Sequence, residues 1–245
     1  MRDGVRPAAA ALAFLTAIPV GRAEELDERD LGRGAALFPL VGALVGAVVA
    51  SVAWSASRLL PPLPSAALGV ASGVALTAAF HLDGLGDVAD GIGASLTGRE
   101  PAEVMRDPRL GTFGVAAVAL DLLLQVTLLG ALLDRFPWEV LAAASIARVV
   151  PLALATAMPY AGSGTGGWVA GMPRSAWLVG LAIAIAVAVP TAGLATVGML
   201  IGGVLVGAVL AWWSRRRLGG VTGDVFGAGA ELTATLSLAV AVALR

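Results

Sequence analysis

The chain has 245 residues with no cysteine, no lysine, a single histidine and a single tyrosine. Without cysteine it can form neither disulfides nor thiolate metal sites. All sixteen basic residues are arginine, a bias that points to a GC-rich genome more than to a mechanism. Charge is the scarcest property: 13% of residues carry one, against about 25% in a soluble domain. The shortage is local. Charged residues collect between long Ala/Val/Leu/Gly runs and are nearly missing within them. A formal net charge of −1 says nothing about nucleic acid, and none is expected as a partner.

What is present is apolar. Hydrophobic residues make up 58% of the chain, and the mean hydropathy is +0.88. This composition predicts an all-α, polytopic bundle embedded in a lipid bilayer, with residues 1–245 as one membrane domain. Apolar windows predict helices near 35–60, 63–80, 111–134, 136–158, 176–190, 191–213 and 229–244, about seven spans. A shorter, partly embedded helix is expected in the first twenty residues. Pro61-Pro62 and Pro190 are expected at tight turns. Arg2 and Arg6 before Ala8–Val20, with Gly21-Arg22-Ala23 after, have the outline of a signal peptide. The multispanning remainder argues against that reading.

Alternating these helices puts connections 21–34, 81–110, 159–175 and 214–228 on one side. That side holds Arg22, Arg29, Arg33, Arg99, Arg106, Arg109, Arg174 and Arg215 to Arg217. The other holds only Arg58, Arg135 and Arg245. The bias predicts a cytoplasmic-membrane protein whose polar, Gly-rich connections face the cytoplasm.

The densest of these is His81-Leu-Asp-Gly-Leu-Gly-Asp-Val-Ala-Asp-Gly91. At about 100° per residue, Asp83, Asp87 and Asp90 fall within roughly a 60° arc of one helix face. Three carboxylates in one stripe repel unless a cation lies between them. Hard oxygen ligands suit Mg²⁺, which commonly shares its shell with substrate phosphates. Glycines at 84, 86, 91 and 93 leave room for a phosphorylated ligand. His81, two residues from Asp83, lies on a different face if the helix is already regular. It reads either as an interface residue or as a proton acceptor or phosphate donor beside the metal.

Further along, Pro101 suits the first turn of a short helix that Pro108 should end at Asp107. Arg106 and Arg109 flank that turn and could clamp diphosphate oxygens. Arg215 to Leu218-Gly-Gly-Val-Thr-Gly-Asp224 offers backbone N–H groups at Gly220, Thr222 and Gly223, and the guanidinium of Arg217, to phosphates. Asp224 and Glu231, seven apart, share a face if the last helix starts early, and could add metal ligation at Asp224 or proton acceptance. Arg148 inside an apolar segment demands a partner. The options are an Asp121–Arg148 pair or a guanidinium aimed at substrate. Pro159 to Gly167 reads as a loop, and the acidic patch Glu24–Asp30 as a solvated segment.

In this order the segments resemble the cobalamin synthase family nearly end to end. Phe14-Leu-Thr-Ala-Ile-Pro19 is similar to its opening, and Phe38-Pro-Leu-Val-Gly42 to its first span. His81–Gly91 is similar to its HLDGLADTADG core, and Met105–Gly114 to its M-K-D-S-R-I-G-x-F-G run. Ala147–Pro151, Pro159-Tyr160 and Leu218–Asp224 through Glu231 complete the series. Pro108 stands where the family usually has Ser, Gly86 where it has Ala, and Val88 where it has Thr. The resemblance implies a Mg²⁺-dependent ribazoletransferase acting on adenosylcobinamide-GDP and α-ribazole or its 5′-phosphate. It would release GMP and form adenosylcobalamin or its phosphate. It also implies roles for Asp83, Asp87 and Asp90 on the metal, for Asp107, Asp224 or Glu231 at a second metal or as base, and for Arg106, Arg109 and Arg217 on phosphate charge. Homo-oligomerisation stays open. So do two rivals: another Asp-rich membrane phosphotransferase or prenyltransferase, and a cation-coupled transporter.

Overall fold

The computed structural model describes residues 5–20, 27–162, 166 and 168–245. The cleavage-site-like Gly21-Arg22-Ala23 and the first three residues of the acidic patch, Glu24 to Leu26, lie outside the described residues. Thirteen α-helices make up the described chain, in which no strand forms. In order they are α1 (Arg6–Leu15), α2 (Glu28–Gly34), α3 (Phe38–Ala56), α4 (Pro62–Leu76), α5 (Phe80–Leu96), α6 (Pro101–Val104) and α7 (Thr112–Ala131). There follow α8 (Glu139–Ala147), α9 (Val149–Ala157), α10 (Trp168–Gly171), α11 (Ala176–Ala192), α12 (Ala195–Arg217) and α13 (Gly223–Ala243).

Five helical stretches are long and apolar enough to cross a membrane: Glu28–Ala56, Thr112–Ala131, Glu139–Ala157, Ala195–Arg217 and Gly223–Ala243. A sixth results if α4 and α5 count as one span bent by 91°. Among the described residues the helices thus number five or six by length and composition, against the expected seven. Segment α11 is apolar but has 17 residues, at the short end of the roughly 17–25 needed to span.

Small residues set the packing, because apolar side chains gain little from leaving lipid for one another. On α3, Gly42 and Gly46 admit α8 so closely that a β-carbon at Gly46 would fall 2.8 Å from the Val140 carbonyl oxygen. Large aliphatic side chains point outward instead, as do Leu120 and Leu123 on α7 and Val204 and Val209 on α12.

Four sequence expectations change. The helix expected over 63–80 ends at Leu76: Ala78 and Ala79 take left-handed backbone angles (φ 49° and 56°) and turn α5 away from α4. Each such residue costs about 1–2 kcal/mol. Pro190 lies inside α11, and the turn comes at Gly193, which takes φ 56° without a β-carbon penalty. The last helix begins at Gly223, six residues before the expected 229, because Thr222 caps it by accepting the Val225 N–H. Finally, Asp30 is not solvated: Arg6 donates to it from Nε (3.0 Å) and Nη2 (2.7 Å), and Asp27 and Asp30 form a capping box on α2.

The four polar connections meet at one end of the bundle. Val221 N–H donates to the Pro159 carbonyl (2.9 Å), and Ala161 N–H to the Val221 carbonyl (2.8 Å). Helix α10 lies on α2, and α13 on α5. Arg135 and Arg245 gather at the opposite end with Asp134 and Glu139.

Candidate active site

The acidic helix α5 and the start of α13 cross at two glycines. A β-carbon at Gly84 would lie 2.9 Å from the Asp224 α-carbon, and one at Gly227 would lie 3.2 Å from the His81 carbonyl oxygen. That crossing puts Asp224 beside the acidic stripe. Asp87 is half-buried and feels the negative charge of Asp224, Asp83 and Asp90; Asp224 feels that of Asp83. Among the described residues, no guanidinium acts on either group. Thr222 Oγ1 donates to Asp224 Oδ2 at 3.2 Å. Like charges crowded in a partly desolvated place, with no cationic side chain among them, demand a bound cation or a proton.

The third member of the stripe is turned to another task. Asp90 is buried, and its two oxygens accept the Gly111 N–H (2.6 Å) and the Gly114 N–H (2.9 Å). The cluster at the crossing is thus Asp83, Asp87 and Asp224.

As they stand, no three His, Asp or Glu side chains among the described residues enclose a metal. Mg²⁺ needs no such cage: it commonly binds one or two carboxylates and completes its octahedron with water and substrate phosphate. The all-oxygen donor set and the uncompensated charge fit that ion.

Next to Asp224 opens a cleft of about 290 Å³, lined in part by Met105, Arg106, Tyr160, Gly162, Thr222 and Asp224. Arg106 and the first turn of α13, including Gly223, therefore face the same space. The Tyr160 hydroxyl accepts the Gly166 N–H (3.1 Å). The loop's Ser163 to Thr165 and Gly167 lie outside the described residues.

Other expected site residues are placed elsewhere. Arg109 donates to Asp107 from Nε (2.9 Å) and Nη2 (2.7 Å), so these two neighbours satisfy each other. The Asp107 carboxyl is held down at about 2, first by the Arg109 guanidinium and then by the Arg109 backbone N–H. The short helix ends at Val104, before the expected Asp107, and a turn carries the remainder. Arg217 is exposed in the last turn of α12. Gly220 is buried where a β-carbon would collide with the Pro159 carbonyl, so it serves chain packing.

Glu231 follows Asp224 by two helical turns, about 10 Å deeper along α13. There it faces Arg148, which is buried at the break between α8 and α9. The alternative Asp121–Arg148 pair is not formed. Asp121 instead accepts from Thr235 Oγ1 (2.6 Å) and Gln125 Nε2 (2.7 Å), and Gln125 Nε2 also reaches Glu231 (3.0 Å). Gln125, Glu231 and Arg148 line one pocket of about 90 Å³ between the helices.

His81 lies on a different face from Asp83, as expected. It is buried with Nδ1 unpartnered, against an aromatic group of Phe14, Phe38, Phe80, Trp168 and Phe226. The sequence reading missed this group. One signal was available: aromatics are only 5% of the chain, yet Phe14, Phe38, Phe80, Trp168 and Phe226 each lie in or beside a motif segment or polar connection. Gln125 and Thr235 were also missed, as single polar residues within apolar helices.

The model of the family described as cobalamin-5-phosphate synthase matches residues 7–242. A relative in Azorhizobium caulinodans, named adenosylcobinamide-GDP ribazoletransferase, is 40% identical over 238 residues, covering 91% of this chain and 90% of its own. Relatives with the same name are 38% identical in Deinococcus radiodurans (89% and 78% covered) and in Pseudomonas aeruginosa (100% and 99%). No solved structure matches the chain.

Proposed function

Since the chain belongs to the cobalamin-5-phosphate synthase family, we propose that it joins adenosylcobinamide-GDP to α-ribazole or α-ribazole 5′-phosphate at the Asp83/Asp87/Asp224 crossing. It is a transferase of cobalamin synthesis. A ribose hydroxyl of the nucleoside attacks the cobinamide-side phosphorus of the diphosphate. A new P–O bond forms, the bond to the GMP oxygen breaks, and GMP leaves with the negative charge.

The observation that carries this reading is the placement of Asp224 against Asp83 and Asp87 at the mouth of a cleft that also holds Arg106. Phosphoryl transfer needs alignment and charge neutralisation more than covalent help. Asp83, Asp87 and Asp224 are the residues that would hold Mg²⁺, which when bound supplies positive charge to the diphosphate oxygens. Arg106 binds phosphate oxygens from the facing wall. The N–H groups opening α13 at Gly223 and Asp224 point a positive helix end at the same anion. A carboxylate of the cluster that holds no metal takes the proton of the attacking hydroxyl. The cleft faces the cytoplasm in this reading, following the arginine bias.

The test is purified protein in detergent with adenosylcobinamide-GDP and α-ribazole, with and without Mg²⁺, scored for GMP. Metal-dependent GMP release that requires both substrates supports the assignment. GMP release without α-ribazole, or none at all, sinks it.

A further inference from the structure

We infer that Asp90 is a positioning residue, which clamps the start of α7 and the preceding Arg106–Leu110 turn onto α5, and that it is not a metal ligand. This rests on the function proposed above. The evidence is geometric. Helix α7 has no cap of its own: Gly111 stands at the N-cap position with no side chain to satisfy the first-turn N–H groups. Asp90 supplies that cap from another helix, giving one carboxylate oxygen to Gly111 N–H and the other to Gly114 N–H. A carboxylate at a helix N-terminus is also favoured by the helix dipole.

The surroundings are built around this use. A β-carbon at Gly111 would fall 2.6 Å from Asp90 Oδ1, and one at Gly114 would collide with the carboxylate and lie 2.9 Å from the Gly86 carbonyl oxygen. Asp90 is 8% exposed. Both oxygens are engaged by backbone donors of α7, which would have to be released before either could serve an ion. Asp83, two helical turns earlier on the same face, is by contrast exposed.

What the clamp positions is the turn between α6 and α7. On one side of that turn Arg106 faces the Asp224 cleft. On the other, Asp90, Arg99, Asp107 and Arg109 line a second, open cleft of about 600 Å³. Holding Gly111 and Gly114 therefore fixes the wall between the two spaces, and with it the guanidinium on the phosphate side.

Two measurements test the clamp. In the wild-type protein in detergent, hydrogen–deuterium exchange of residues 111–114 is followed with and without Mg²⁺. A metal that bound Asp90 would pull its carboxylate from these amides and speed their exchange; we expect protection to be unchanged. In steady-state kinetics, Asp90→Asn is expected to raise KM for adenosylcobinamide-GDP about 10-fold or more while the Mg²⁺ concentration for half-activation stays within about twofold of wild type. Asp87→Asn, measured alongside, should shift the metal requirement instead. Gly114→Ala should reproduce the KM effect. A Mg²⁺-induced loss of amide protection, an Asp90→Asn metal shift matching that of Asp87→Asn, or wild-type kinetics in Asp90→Asn would each overturn the clamp. A wild-type protein that releases no GMP defeats the proposed function instead, and leaves the exchange experiment still decisive for Asp90.

Discussion

Gly84 on α5 touches the backbone of Asp224 on α13, with space for hydrogen but not for a methyl group. Residues 140 positions apart in the chain thus become neighbours, and the acidic site exists only because of that contact. Gly84→Ala should push the helices apart, with a stability loss of about 1–3 kcal/mol for overpacking. Activity should fall further than the unfolded fraction explains. Thermal unfolding and GMP release on the same preparation separate the two.

Asp87 sits among three other carboxylates. Asp87→Asn should lower kcat/KM by about 100-fold or more, as expected when charge stabilisation at the reacting phosphate is lost. Chelation of the wild-type protein should abolish turnover and added Mg²⁺ restore it. Retention of full rate in the chelated protein would contradict the metal assignment.

Gln125 Nε2 joins Asp121 to Glu231 inside the bundle. Gln125→Leu leaves buried acceptors without it and should destabilise by about 1–3 kcal/mol, while Thr235→Val should cost about 1 kcal/mol. Both should retain the wild-type Mg²⁺ response. Unfolding in detergent, monitored by tryptophan fluorescence, checks the order of the two effects.

At the far end, Arg245 meets Asp134 at 2.6 Å, and Arg135 meets the buried Glu139 at 2.6 Å. Arg245→Ala should cost about 0.2–1 kcal/mol, in the range of exposed ion pairs. It should not alter kcat or KM, since no residue of the acidic crossing takes part.

The Asp107 carboxyl, held at about 2 against an ordinary 3.8, is ionised throughout the pH range of any practical assay. Because its value is lowered in the folded state, its pairing with Arg109 is present above the ordinary value and is lost only as pH falls through about 2. Asp107→Asn should therefore leave the shape of the pH–rate profile between pH 5 and 9 unchanged. A profile that loses its acidic limb in this variant would show that Asp107 titrates in the working range.

Much of the fold was legible because it follows from composition and period. Apolar runs free of charge make membrane helices, so α3, α7, α12 and most of α13 lie near their expected positions. Asp83, Asp87 and Asp90 were readable as one stripe because helical spacing is local. Boundaries were less legible where a local device overrode hydropathy. Thr222 starts α13 early through a side-chain cap, and Ala78 and Ala79 turn α5 through backbone angles that alanine rarely adopts.

The amino-acid sequence alone determined an all-helical membrane chain, the clustering of polar segments at one end and the family. These rest on hydropathy, charge distribution and motif order, which are written along the chain. Only the tertiary structure decided which acids belong together. It brought Asp224 to Asp83 and Asp87, gave Asp90 to the amides of α7, and sank Glu231 and Arg148 into the bundle. Those pairings depend on glycines that let one helix lie against another, and on backbone donors left free at a helix start. Neither is visible from spacing within a single segment.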